Sequence, residues 1–169
     1  MTAATSLQTS PKSSPRHPSV DADEPLVLIA EDDDELRRLL ADTLEQDGYT
    51  VRTAGDGRGM LAMLSAVSRG ELPRPWLIVM DVRMPACGGM EVLSALRLAE
   101  WDVPVVIITA FGDMDLHRDA GRRGATIVLD KPFELDTLVC VARALATAPM
   151  LEDDEITNSG RKPPFGGDA

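Results

Sequence analysis

Five short apolar runs, each followed by a segment whose apolar residues recur three and four positions apart, restrict this chain more than any other feature. The runs are Leu26–Ala30, Thr50–Ala54, 76–80, 103–108 and 126–129. Each is of strand length, and the near-continuous apolarity of 76–80 and 105–108 suits strands covered on both faces. The first helical segment carries Leu36, Leu39, Leu40 and Leu44, with Asp33 or Asp34 placed to cap it. Helices are expected over Gly57–Ser68, 89–100 and 113–123, and a last one carries Leu135, Leu138, Val141, Ala142 and Leu145. Gly48, Gly70 and Gly124 fall where helix ends need a residue tolerant of positive φ. Five strands alternating with five helices imply an α/β fold with a parallel sheet covered on both sides. Right-handed crossovers leave few topologies, and a doubly wound sheet in the order 2-1-3-4-5 is the one expected.

This alternating unit occupies 25–147, enough for one domain in a chain of 169 residues. Eleven of the first 24 residues are Ser, Thr or Pro, and beyond Met1 only Leu7 and Val20 are large and apolar. Such a stretch cannot bury enough surface to offset its ordering entropy, so 1–24 reads as a disordered tail. Residues 148–169 read as a second flexible tail, with an acidic patch (Glu152, Asp153, Asp154, Glu155) and then a Gly/Pro-rich stretch. No segment after residue 147 is long enough for a helix-turn-helix or an enzymatic domain, so no output domain is expected.

The net charge of −11 argues against unaided nucleic-acid binding, which needs a basic face. Cys87 and Cys140 stand in no metal-binding or disulfide spacing. No apolar run reaches membrane-spanning length, and the N-terminus has no signal-peptide core. The expectation is a cytoplasmic protein whose partners are proteins or small anions held by a metal.

In a doubly wound sheet the site lies beyond the carboxyl ends of the strands, where strand order reverses. Strand 1 ends in Glu31-Asp32-Asp33-Asp34, strand 3 in Asp81, strand 4 in Thr109-Ala110 and strand 5 in Asp130-Lys131-Pro132-Phe133. Strands 1 and 3 are neighbours in this order, so Glu31, Asp32 and Asp81 converge. Three carboxylates together repel and take up protons unless a cation is present. Mg²⁺, a hard ion satisfied by a few carboxylates, waters and phosphate oxygens, is the economical choice. Lys131 adds a point charge for a phosphoryl oxygen and Thr109 a hydroxyl donor. A carboxylate nucleophile, a divalent ion and a lysine together describe phosphoryl transfer onto aspartate.

The run Ile29-Ala30-Glu31-Asp32-Asp33, then Asp81-Val82-Arg83-Met84-Pro85 with Gly89, then Thr109-Ala110, then Lys131-Pro132-Phe133 closely resembles the response-regulator receiver domain, over residues 25–147. That resemblance implies the flavodoxin-like order above, with Asp81 as phosphoacceptor and Glu31 and Asp32 as the acidic metal-binding pair. It further implies that the backbone carbonyl of Arg83 completes the protein ligands of Mg²⁺. Thr109 resembles the switch hydroxyl, Lys131 the phosphate-contacting lysine, and a cis peptide is implied between Lys131 and Pro132. The implied function is a two-component phosphorelay switch charged by a histidine kinase or phosphotransfer protein, without enzymatic activity beyond its own phosphorylation and dephosphorylation.

The chain departs from the pattern at Val128, where receivers usually carry Tyr or Phe three residues before the lysine. A valine cannot transmit threonine movement by ring rotation, so a smaller or different response is expected around the fourth helix and fifth strand. Arg83 and Phe111, two residues past the acceptor and the threonine, flank the expected path of attacking water, which suggests a long-lived phosphoryl state. Two rivals remain. A receiver-like scaffold that no longer switches draws on Val128. A metal-dependent phosphohydrolase needs a second acid two residues past its nucleophile, where this chain has Arg83. His117, Arg118, Arg122 and Arg123 read as a solvated helix face, His17 as part of the first tail, Cys87 as an exposed spectator thiol, and Met60, Met63 and Met90 as core filling.

Overall fold

A computed structural model describes residues 25–147. Both expected tails, and His17 with them, lie outside the described residues. The elements alternate as β1 (Leu26–Ala30), α1 (Asp34–Gln46), β2 (Thr50–Ala54), α2 (Gly57–Ser68), β3 (Leu77–Asp81), α3 (Gly89–Leu98), β4 (Val105–Thr109), α4 (Met114–Arg122), β5 (Ile127–Asp130) and α5 (Leu135–Thr147). All strand pairs are parallel, in the order β2-β1-β3-β4-β5. The doubly wound topology expected from the alternation is the one formed.

Every residue of β1, β3 and β4 is buried, whereas the edge strands β2 and β5 are partly exposed. Because side chains alternate across a strand, the sheet feeds two cores. Leu28, Ile78, Met80 and Ile107 pack with Met60 and Leu64 of α2 and Leu93 of α3. Val27, Ile29, Val79 and Ile108 pack with Leu40 and Leu44 of α1 and Leu138 of α5. Burying one such Leu contributes about 2 kcal/mol. α4 is different: Ala120 is its one buried residue.

Element ends shift slightly from the sequence reading, for local reasons. Asp33 is the cap of α1, accepting the N–H groups of Glu35 and Leu36 at 2.9 Å each. β4 begins at Val105 rather than 103, since Pro104 has no N–H to give the ladder. α3 stops at Leu98 rather than running to residue 100, because Glu100 turns into the left-handed region with φ 56°. Gly48, Gly70 and Gly124 do hold positive φ. Gly89 serves close approach: a Cβ there would overlap the carbonyl oxygen of Asp81, so only glycine lets α3 start against the end of β3. Met60 and Met90 are buried, and Met63 packs against the same core. Cys87 is half-buried rather than exposed, because its backbone and Cβ sit against Gly57 at the start of α2.

Candidate functional site

The parallel register brings four strand ends level. Ala30 pairs with Met80, Asp81 with Ile108, and Thr109 with Asp130. Glu31, Asp81, Thr109 and Lys131 therefore meet at one edge of the sheet. Among the described residues, Glu31 and Asp81 are the buried charged side chains, 1% and 5% exposed, and Thr109 at the adjoining strand end is buried as well. Unpaired charges do not stay in such a place. Here Lys131 Nζ donates to Glu31 Oε2 at 2.9 Å and also bonds Asp81 Oδ2, so one ammonium serves both carboxylates.

Backbone groups fix the acids further. The N–H of Arg83 donates to Asp81 Oδ1 at 2.6 Å, and that of Asp33 to Glu31 Oε1 at 3.3 Å. Arg37, which the sequence did not single out, reaches back from α1 to donate to the Glu31 carbonyl at 2.7 Å. The Lys131 N–H donates to the Thr109 carbonyl at 2.7 Å, tying β5 to β4 at the site. The Lys131–Pro132 peptide is cis, as the resemblance implied.

Burial pushes the Glu31 carboxyl above its usual range, and neighbouring Asp81 adds to this against the hydrogen bond from Lys131. Burial by itself would lower the Lys131 amine, but its hydrogen bonds to Asp81 and Glu31 outweigh that and raise it, so the ammonium stays charged. One oxygen from each of Glu31, Asp32 and Asp81 lies within 4.8 Å of the others, with Asp32 exposed at the rim. Three clustered hard oxygen donors and one compensating lysine suit a small divalent cation of the Mg²⁺ type.

Over this floor stands a rim. The Arg83 guanidinium lies over the Phe111 ring, 4.5 Å from its centroid, and Phe111 is 66% exposed. Both line a groove of about 380 Å³ that opens beside Thr109 and runs along α4 past Asp113 and Leu116. The sequence placed these two residues on the path of water, and the structure adds that they stack on each other. Arg118 and Arg123 are exposed and pair along α4 with Asp115 and Asp119, as a solvated face does. His117 is more than that. Its Nε2 lies 3.0 and 3.1 Å from the two carboxylate oxygens of Asp130, a contact across two elements that periodicity cannot show.

The doubly wound sheet thus carries this acidic cluster at its switch point, and comparison with known proteins gives the family. A family model described as the response regulator receiver domain matches residues 27–143. The chain is 39% identical over 134 residues to response regulator MprA of Mycobacterium ulcerans, covering 79% of this chain and 55% of that protein. It is also 39% identical over 126 residues to transcriptional regulatory protein PdtaR of Mycobacterium tuberculosis, covering 72% and 58%. The receiver domain of Francisella response regulator 1452 superposes with a TM-score of 0.66 at 27% identity, over 73% of this chain and 97% of that one. Vibrio cholerae chemotaxis protein CheY4 superposes with a TM-score of 0.64 at 30% identity, over 72% and 98%. The chain belongs to the response-regulator receiver family. It spans little more than half the length of these curated relatives. Phosphorylation and Mg²⁺ binding within two-component systems are general features of that family.

Proposed function

We propose that this chain is a phosphorylation-dependent switch that accepts a phosphoryl group on Asp81 from a histidine kinase or phosphotransfer protein. One observation carries the reading: the clustered oxygens of Glu31, Asp32 and Asp81, with Lys131 shared between the two buried acids. Glu31, Asp32, Asp81 and the Arg83 carbonyl would hold Mg²⁺, which when bound supplies charge neutralisation for the incoming phosphoryl oxygens. An Asp81 carboxylate oxygen forms the new O–P bond while the N–P bond of the donor phosphohistidine breaks and its electron pair returns to the imidazole. Lys131, already bonded to Asp81, can follow the charge onto a phosphoryl oxygen, and Thr109 can donate its hydroxyl to another. The phosphorylated state then favours the conformer in which both contacts are made.

The receiver unit is assigned to 25–147, with 1–24 and 148–169 as tails, and the protein to the cytoplasm. Among the described residues no helix is long and apolar enough to cross a membrane. Signalling is assigned to protein contacts, since the net charge of −11 disfavours direct nucleic-acid binding. The phosphohydrolase reading loses further ground because Arg83 stacks on Phe111 where that chemistry needs an acid.

Intact-mass spectrometry after incubation with acetyl phosphate tests the proposal. One added phosphoryl mass is expected in wild type with Mg²⁺, and none without Mg²⁺ or in Asp81→Asn. An adduct that persists in Asp81→Asn would refute the assignment. No adduct in wild type would favour the non-switching scaffold.

A further inference from the structure

The contacts around Thr109 form a closed circuit that leaves the buried site and returns to it. Thr109 Oγ1 accepts the Phe111 N–H at 3.1 Å. The Phe111 carbonyl accepts the Asp113 N–H at 3.1 Å, and the Asp113 carbonyl accepts the His117 N–H at 3.1 Å. The His117 side chain meets Asp130, and Lys131, the next residue, donates its N–H to the Thr109 carbonyl at 2.7 Å. Inside the circuit lies Gly112. A Cβ there would overlap the Asp130 carboxylate and lie 2.8 Å from His117 Nε2, so the loop backbone rests directly on the pair.

We infer that Asp130 and His117 form a latch that positions the loop after Thr109, and through it the Thr109 hydroxyl, so that the phosphoryl state of Asp81 is registered on α4. The inference rests on the proposed function. Thr109 can donate its hydroxyl to a phosphoryl oxygen while Oγ1 still accepts the Phe111 N–H, so a shift of Oγ1 toward that oxygen draws the loop with it at Phe111. Gly112 is already in contact with Asp130, so the loop moves only by displacing that carboxylate or by leaving it. Either motion changes the His117–Asp130 bond. α4 can respond because it is anchored by one buried residue, Ala120. The pair itself is 37% and 52% exposed, and a polar contact so exposed contributes little to stability. Its role is positional, and its loss leaves the fold intact.

The chain has two histidines, His17 and His117, so the imidazole ¹H–¹³C spectrum of the full 169-residue protein reports on the latch almost directly. Spectra are recorded at one pH with Mg²⁺, before and after adding fluoroberyllate as phosphoryl analogue, with the ¹⁹F signal reporting the Asp81 adduct independently. On adduct formation the His117 resonance is expected to move by more than its line width. In Gly112→Ala it should be displaced before any adduct forms, and in Asp130→Asn the adduct should no longer move it. His117→Ala should change fluoroberyllate affinity several-fold, whereas His117→Gln, which keeps a donor for Asp130, should restore it. A ¹⁹F adduct with an unmoved His117 resonance overturns the latch alone. Absence of the adduct in wild type overturns the proposed function, and the latch with it.

Discussion

The floor and the rim of this site are built from the same strand ends, but different forces hold them. The floor groups Glu31, Asp81 and Thr109 are buried, and Lys131 links the two acids. Of the exposed rim groups, Asp33 is held by its cap, Arg83 and Phe111 by stacking, and Asp130 by its contact with His117, while Asp32 stands exposed beside them. A buried group that loses its partner bears the full cost of desolvation, so the floor is fixed before any ligand arrives. An exposed group loses little when it moves, so the rim can rearrange. Recognition of the phosphoryl group belongs to the first set, and its consequences elsewhere to the second.

The sharpest way to break that contrast is to remove the cation of the floor. Lys131→Met leaves Glu31 and Asp81 facing each other without compensation. We expect a stability loss of about 2 kcal/mol in urea unfolding without Mg²⁺, less than the ~3–5 kcal/mol for breaking a fully buried pair, since the Lys131 side chain is 21% exposed. Because the folded amine is raised, its contribution is fully present below the unfolded lysine pKa and is lost only as pH rises through the higher folded value. At neutral pH the whole effect is therefore visible. Saturating Mg²⁺ should recover most of the loss; a loss insensitive to Mg²⁺ would mean that Lys131 acts through packing and not charge.

At the rim, Phe111→Ala tests access and not stability. The ring is 66% exposed, and its known neighbour is the Arg83 guanidinium. Removing it should speed loss of the phosphoryl group from Asp81 several-fold, followed by intact mass over time, with the thermal midpoint shifted by no more than about 2 °C. An unchanged lifetime would remove the screening role assigned to the stacked pair.

The same division explains what could be read from sequence. Glu31, Asp81, Thr109 and Lys131 were legible because each follows an apolar run, and strand order alone brings run ends together. The two cores were legible because alternation within each run assigns residues such as Leu28 and Ile29 to opposite faces. The rim was not. The stacking of Arg83 on Phe111 joins residues 28 apart, and the His117–Asp130 bond joins residues 13 apart, through side-chain conformations that no period encodes. Arg37 was missed for a related reason: on α1 it falls among charged residues of an amphipathic helix, and only its hydrogen bond to the Glu31 carbonyl sets it apart. A glycine immediately after Phe111 was the one available sign that the loop approaches something closely.

The smallest expected effect separates charge from hydrogen bonding at the rim. Asp33 caps α1, and the N–H groups of Leu36 and then Glu35 hold its carboxyl below the usual carboxylate range. Asp33→Asn keeps an acceptor for those N–H groups and removes the charge at the helix N-terminus. A depressed folded pKa gives stability that is present above the unfolded value and lost as pH falls through the folded one. Wild type should therefore be slightly the more stable protein at neutral pH. The gap should close as the solution is acidified past the folded pKa, when both side chains are neutral. Urea midpoints of the two proteins against pH would show this convergence. A gap that stays constant would mean that the Asp33 charge contributes nothing and that the cap works through hydrogen-bond geometry alone. The floor would then be the only part of the site where charge decides stability.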